Sequence, residues 1–234
     1  MEEPQSSSSP TTSPITASLL TTIHAYDQAI YPSALPLSQL RAWVAACPEL
    51  SIADAGRPSP PDEVQGVIIV LPLRRGYWED LLVGRVAEGG VEVGMFPPPC
   101  HGGSGEGEDE VVEVGLHVYH VERFGENRRG GGFTERALEE VRRRVTAVWP
   151  GWRVVGVSAL IATDAGSRTF ARLGLQKTGY REVFVQRGPP QDGADQQGVV
   201  DMVCCFPGDE AGLEEIVGQG VVVSTSEMVV RYET

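Results

Sequence analysis

The run Arg128-Arg129-Gly130-Gly131-Gly132-Phe133-Thr134 constrains this chain more than any other stretch, because an amphipathic helix pattern follows it directly. Ahead of it, Val111 to Val121 is apolar and β-branched and reads as a strand. The order is therefore strand, loop, glycine cluster, helix start. Glycines at a helix N-terminus bare consecutive backbone N–H groups and let a bulky anion approach. The helix dipole favours negative charge there, and two adjacent arginines add charge-assisted donors suited to phosphate. A pyrophosphate fits this geometry. A flexible glycine loop joining two core elements is the plainer alternative.

The next segment narrows the choice. From Val154 the chain reads VVGVSALIATDAGSRTFARLGLQKTGYREVFV. A short apolar run, Val154 to Val157, precedes a short helix over Ala165 to Leu173, with Gly174 placed to end it in the left-handed conformation. Glu182 to Val185 then forms another strand. In this order and spacing the sequence resembles the GNAT family of acyl-CoA N-acetyltransferases, over roughly residues 64–186. Arg129, Gly132 and Thr134 fall on the fixed places of the family's pyrophosphate motif Q/R-x-x-G-x-G/A, with Thr134 departing from Gly/Ala. In the family's N-x-x-A-x-x-x-Y-x-K-x-G-F element, Thr163 stands for Asn, Gly166 for Ala, Phe170 for Tyr, and Arg172, Gly174 and Leu175 for Lys, Gly and Phe.

The resemblance implies a fold, a cofactor and an activity. The fold is a mixed, mostly antiparallel central sheet flanked by helices (α/β, α+β). The cofactor is acetyl-CoA, as co-substrate. Its pantetheine arm is expected to pair with the strand backbone at Leu116, His117, Val118 and Tyr119. Its pyrophosphate is expected on Arg128, Arg129, Gly130, Gly131, Gly132, Phe133 and Thr134, with Thr163 and Phe170 alongside. The activity is acetyl transfer to a primary amine: a small molecule, a lysine or a peptide N-terminus. A GNAT-like CoA-binding or regulatory module without efficient catalysis is the alternative.

An alkyl ammonium has a pKa near 10 and must lose a proton before it attacks. The family often places a Glu on this strand, and Glu113 stands at a matching place. Strand alternation puts Glu113, Gly115, His117 and Tyr119 on one face, and Gly115 leaves room for a substrate channel. His117 and His120 are alternative bases. The family's thiolate-protonating Tyr is replaced by Phe170, which cannot donate. Tyr180 or Tyr119 is then the candidate donor; failing both, solvent protonates the thiolate or catalysis is lost.

Composition excludes other classes. A net charge of −13 argues against a nucleic-acid partner and agrees with a cationic amine. The spacing G-x-G-x-x-G of a dinucleotide fold is absent, as is the Gly-Lys-Ser/Thr of a phosphate-binding loop. Cys47, Cys100, Cys204 and Cys205 lack metal-ligand spacing, so no metal is expected, and they fit a reducing compartment. No secretory signal or 18-residue apolar run occurs, so no membrane partner is expected. A cytoplasmic or nuclear monomer or homodimer is the expectation.

Residues 1–15 are Ser/Thr/Pro-rich and read as a disordered tail before a single domain over 16–234. Residues 88–110, rich in Gly, Pro and acids, read as a mobile insertion. Helices are predicted over 16–29, 37–46, 77–83 and 134–148. Strands are predicted over 50–53, 64–73, 199–206 and 221–232.

Overall fold

The structure, a computed structural model, describes residues 12–30, 35–54, 64–98, 111–124, 132–186, 200–207 and 220–233. Its elements run β1 (Thr12–Pro14), α1 (Ala17–Ile30), α2 (Leu37–Ala46), β2 (Ser51–Asp54), β3 (Gly66–Arg74), α3 (Arg75–Leu82), β4 (Val112–Arg123), α4 (Phe133–Val148), β5 (Trp152–Ile161), α5 (Asp164–Arg172), β6 (Gln176–Gln186), β7 (Val200–Cys205) and β8 (Val221–Tyr232). The strands form one mixed sheet in the order β1-β2-β3-β4-β5-β8-β6-β7.

Among the described strands, β4 and β5 pair in parallel and every other pair is antiparallel. Parallel neighbours need a crossover, and α4 supplies it. Its stripe of Phe133, Leu138, Val141 and Val145 is buried, matching the spacing that predicts the helix. β3, GVIIVLPLR, is apolar almost throughout because it is buried on both faces. From the other side α3 lays Trp78, fully buried, across Gly115 of β4 and Gly156 of β5. A Cβ at Gly115 would lie 2.0 Å from the Trp78 ring, so both glycines are sites of close approach.

Three expectations change. Thr12–Pro14 is not part of a free tail: it pairs with Ile52–Asp54 as an edge strand, and Thr12 Oγ1 accepts a 2.6 Å hydrogen bond from Arg144. Residues 1–11 lie outside the described residues. The segment 88–98 is packed, with Glu88, Val91 and Phe96 buried, and Trp43 Nε1 donates to the Val91 carbonyl. The rest of the expected insertion, 99–110, is also outside the described residues. The short apolar run expected at Val154 to Val157 is part of a ten-residue strand. Its far partner is β8, which inserts between β5 and β6.

Candidate acetyl-CoA groove and acceptor cavity

The pairing of β4 with β5 stops at Val118–Ala159. β4 runs on to Arg123, still paired with β3, and β5 runs on to Ile161. Tyr119 marks the break. Ile69 pairs with His120 and Val70 with Val118, so Tyr119 is an extra residue on β4, a β-bulge. Bulges bend and twist a strand locally. Past this point a cavity of about 200 Å³ opens between the strands, lined by Val118, His120, Leu160, Thr163 and Phe170. It shares Val121, Glu122, Thr163 and Phe170 with a larger groove of about 650 Å³ that reaches Gly132, Phe133 and Thr134.

The far end of that groove is the start of α4. Gly132 takes φ +87°, the left-handed region that glycine enters without strain, and its carbonyl accepts from the Arg136 N–H. Gly66 leaves room for the buried Phe133 ring, since a Cβ there would meet it at 2.5 Å. Arg123 and Arg172 line the same groove, with Glu122 and Glu135 opposing them. Arg128, Arg129, Gly130 and Gly131 lie outside the described residues. Thr163 caps α5, its Oγ1 accepting from the Gly166 N–H at 3.1 Å, and Phe170 turns its buried ring onto both cavities. The structure thus brings together Gly132, Phe133, Thr134, Thr163 and Phe170 along one groove.

The expected pantetheine position moves. Leu116, His117 and Val118 are paired on both sides, to Pro72, Leu71 and Val70 of β3 and to Val157, Ser158 and Ala159 of β5. Their backbones are committed to the sheet. The β5-facing edge of β4 opens only beyond Val118, from the Tyr119 bulge toward Arg123. A strand that leaves its β5 neighbour at this point and leads to a helix N-terminus flanked by arginines fits a pantetheine diphosphate.

Glu113 is corrected most sharply. It sits at the opposite end of β4 from the opening, seven residues before His120, or about 23 Å of strand. It is held by Arg75 at 3.0 Å and by Arg153. The Arg75 guanidinium, aided by Arg153, keeps its carboxyl below the usual range. The space beside Gly115 is filled by Trp78 and is no channel. Tyr180 is fully buried away from the groove, its hydroxyl donating to Glu182 Oε1 at 3.0 Å and lying 3.3 Å from Cys204 Sγ.

The two histidines differ. His117 is fully buried, and burial pushes its pKa down to about 4, so it is neutral. Its Nδ1 lies 2.9 Å from Ser158 Oγ and its Nε2 2.7 Å from Glu88 Oε1. Trp78 Nε1 donates to Ser158 Oγ at 2.8 Å. One proton arrangement satisfies all three contacts: Ser158 donates to Nδ1, and Nε2–H donates to Glu88. His120 lies on the groove, with Nδ1 2.8 Å from Asp27 Oδ1 and Nε2 3.6 Å from Glu122 Oε2. Burial opposes its charge, but the two carboxylates outweigh burial and lift it to about 9. His120 is therefore an imidazolium at neutral pH.

Asp27 is the site residue that sequence reasoning missed. It is 3 % exposed and lines both the cavity between the strands and a second cavity of about 180 Å³ on the far side of Tyr119. Its signal was present: Leu20, Ile23 and Asp27 lie on the buried stripe of α1, and an acid on an apolar stripe needs a partner. Among the described residues no group of side chains could hold a metal ion, and no helix is long and apolar enough to cross a membrane.

No family model and no curated protein matches the chain. Solved structures do. The chain is similar to Arabidopsis thaliana NAA60 in complex with a bisubstrate analogue, with TM-score 0.51 and 14% identity, over 96% of this chain and 98% of that one. It is also similar to the same protein with acetyl-CoA, at TM-score 0.49 and 13% identity over the same shares. Drosophila melanogaster polyamine N acetyltransferase matches at TM-score 0.46 and 11% identity, over 96% and 100%. The first of these likenesses shows the fold: the chain has the mixed, mostly antiparallel GNAT architecture.

Proposed function

We propose that this protein is an acetyl-CoA-dependent N-acetyltransferase acting on a primary amine. One observation carries the reading. The β4–β5 pair opens at the Tyr119 bulge into a groove continuous with the N-terminus of α4. The start of α4 at Gly132, Phe133 and Thr134 would hold the pyrophosphate, with Arg128, Arg129, Gly130 and Gly131 just before it in the chain. The strand edge beyond Val118 would pair with the pantetheine amides, and Phe170 would pack against the arm.

When bound, acetyl-CoA supplies an acetyl group activated as a thioester. The amine nitrogen forms a bond to the acetyl carbon as the carbon–sulfur bond breaks. A substrate ammonium gives up two protons in the course of transfer; one ends on the sulfur and the other leaves to solvent. His120 suits the first path. Its Nδ1–H is held by Asp27, and its Nε2–H lacks a hydrogen-bond partner among the described residues. A pKa of about 9 matches that of a departing thiol, so the transfer is close to balanced. His120 then regains a proton from the acylated nitrogen. This assigns the donor role to His120 rather than to Tyr180, and it works without a hydroxyl at Phe170.

Thiol release from acetyl-CoA over a panel of primary amines tests the proposal, with CoA binding measured by calorimetry. The expected result is thiol release that falls by about 10² in kcat/KM for His120→Gln, within the range for loss of an acid–base group. CoA binding without thiol release from any amine would favour the alternative, a CoA-binding module.

A further inference from the structure

The second cavity, beyond Asp27, lies between the end of α1, the 87–90 turn, β4 and the β6–β7 hairpin. Three carboxyl side chains face it, Asp27, Glu88 and Glu182, each at least nine-tenths buried. Among the described residues no lysine or arginine lines it. Leu35 and Met202 give it apolar walls.

Asp27 has one oxygen to spare. Oδ1 takes the His120 hydrogen bond, whereas Oδ2 is buried with no partner among the described residues. A buried, unmatched carboxylate oxygen is costly unless a ligand completes it. Glu88 and Glu182 lie together: Glu182 Oε1 accepts from the Glu88 N–H at 3.2 Å and from the Tyr180 hydroxyl. Burial raises both; Asp27 adds to it at Glu88, which stands well above the usual range, and Glu88 adds to it at Glu182, which reaches about 7. A cation placed between them would reverse that cost, because it favours their charged forms. Trp78, Ser158 and His117 hold Glu88 from behind, so its position is fixed before any ligand arrives.

We propose that the acceptor is a compact dicationic amine. One ammonium is held at Asp27 Oδ2, on the wall shared with the acetyl-CoA groove, and the second cationic group is held at Glu88 and Glu182. The methylenes between them lie on Leu35 and Met202. A cavity of about 180 Å³ has room for a short alkyl diamine and little else. This rests on the transferase reading for the identity of the groove, but the diamine site itself is separable from turnover.

Calorimetry and thiol-release kinetics, both with 1,4-diaminobutane and with n-butylamine, test it on the full chain. The CoA-saturated protein is expected to bind one diaminobutane at least tenfold more tightly than butylamine. Glu182→Gln and Glu88→Gln, whose amides keep the acceptor oxygens that the neighbours use, should each cut the diamine-to-butylamine preference in kcat/KM by tenfold or more. Melting curves confirm that each variant is folded; should one be lost, the other carries the test. Diamine binding without turnover of any amine would uphold the diamine site but overturn its role as the acceptor site, and would sink the transferase reading. Turnover with equal preference for the two amines, or preference for butylamine, would overturn the inference and leave the transferase reading standing.

Discussion

Asp27→Asn should abolish a pH-dependent part of the protein's stability. In the fold His120 is lifted from 6.5 to about 9, against its own burial, by Asp27 at 2.8 Å and by Glu122. A folded-state pKa above the unfolded value stabilises the fold fully below pH 6.5 and is lost as pH rises through 9. The shift of about 2.5 pKa units corresponds to about 3 kcal/mol at 1.36 kcal/mol per unit. Asn keeps the shape of Asp27 but removes its charge, leaving Glu122 at 3.6 Å as the one acid facing the ring from β4. Burial then dominates, and His120 should titrate at or below its ordinary value. Urea unfolding at pH 6, 7.5 and 9 reads the effect. Wild type should lose about 3 kcal/mol across that range beyond what the variant loses. Glu182, lifted to about 7, adds its own loss between 4.5 and 7 in both proteins and cancels, whereas Glu88, raised by burial and by Asp27, changes with the substitution, so the histidine is read separately. Proton NMR of the four histidines, with His120→Gln for assignment, gives the pKa directly. A wild-type His120 titrating near 6.5, or identical pH profiles in the two proteins, would refute the reasoning.

Two further outcomes follow from the geometry. Gly115→Ala should lower the melting temperature by roughly 2–12 °C, since overpacking costs about 1–3 kcal/mol and the rigid Trp78 ring meets the new methyl at 2.0 Å; a melting curve that matches wild type would show that the ring moves freely. Glu113→Gln should leave thiol release unchanged, because that carboxylate faces Arg75 and Arg153 at the far end of β4; a large fall in kcat/KM would return Glu113 to the site.

The sequence made the anion end of the groove legible because that chemistry is local. A glycine at φ +87° opening a helix, a threonine cap at 163 and a ring at 170 are each set by neighbours in the chain. Glu113 misled because strand alternation gives a residue's face and not its position along the strand. Nothing local says that β4 opens past Val118 and not before it. The bulge at Tyr119 was equally hidden, since a one-residue slip against β3 depends on how Ile69 and Val70 pack. Asp27 announced only that it needed a partner, and Glu88 not even that; which partner was hidden because they reach β4 from 93 and 29 residues away in the chain. Tyr180 looked like a donor because a tyrosine hydroxyl is always a candidate until its partner is seen. Here Glu182 and Cys204 occupy it.

The insertion of β8 between β5 and β6 sets a timetable for the chain as it is made. Both neighbours are synthesised before residues 221–232 exist, and each presents an edge that only β8 covers. Until those residues emerge, β5 and β6 cannot join one sheet, and their open edges are templates for pairing with another chain. The half of the molecule carrying Glu182 therefore comes into register with the half carrying His120 only as a late event, after every described residue lining the two cavities has been translated.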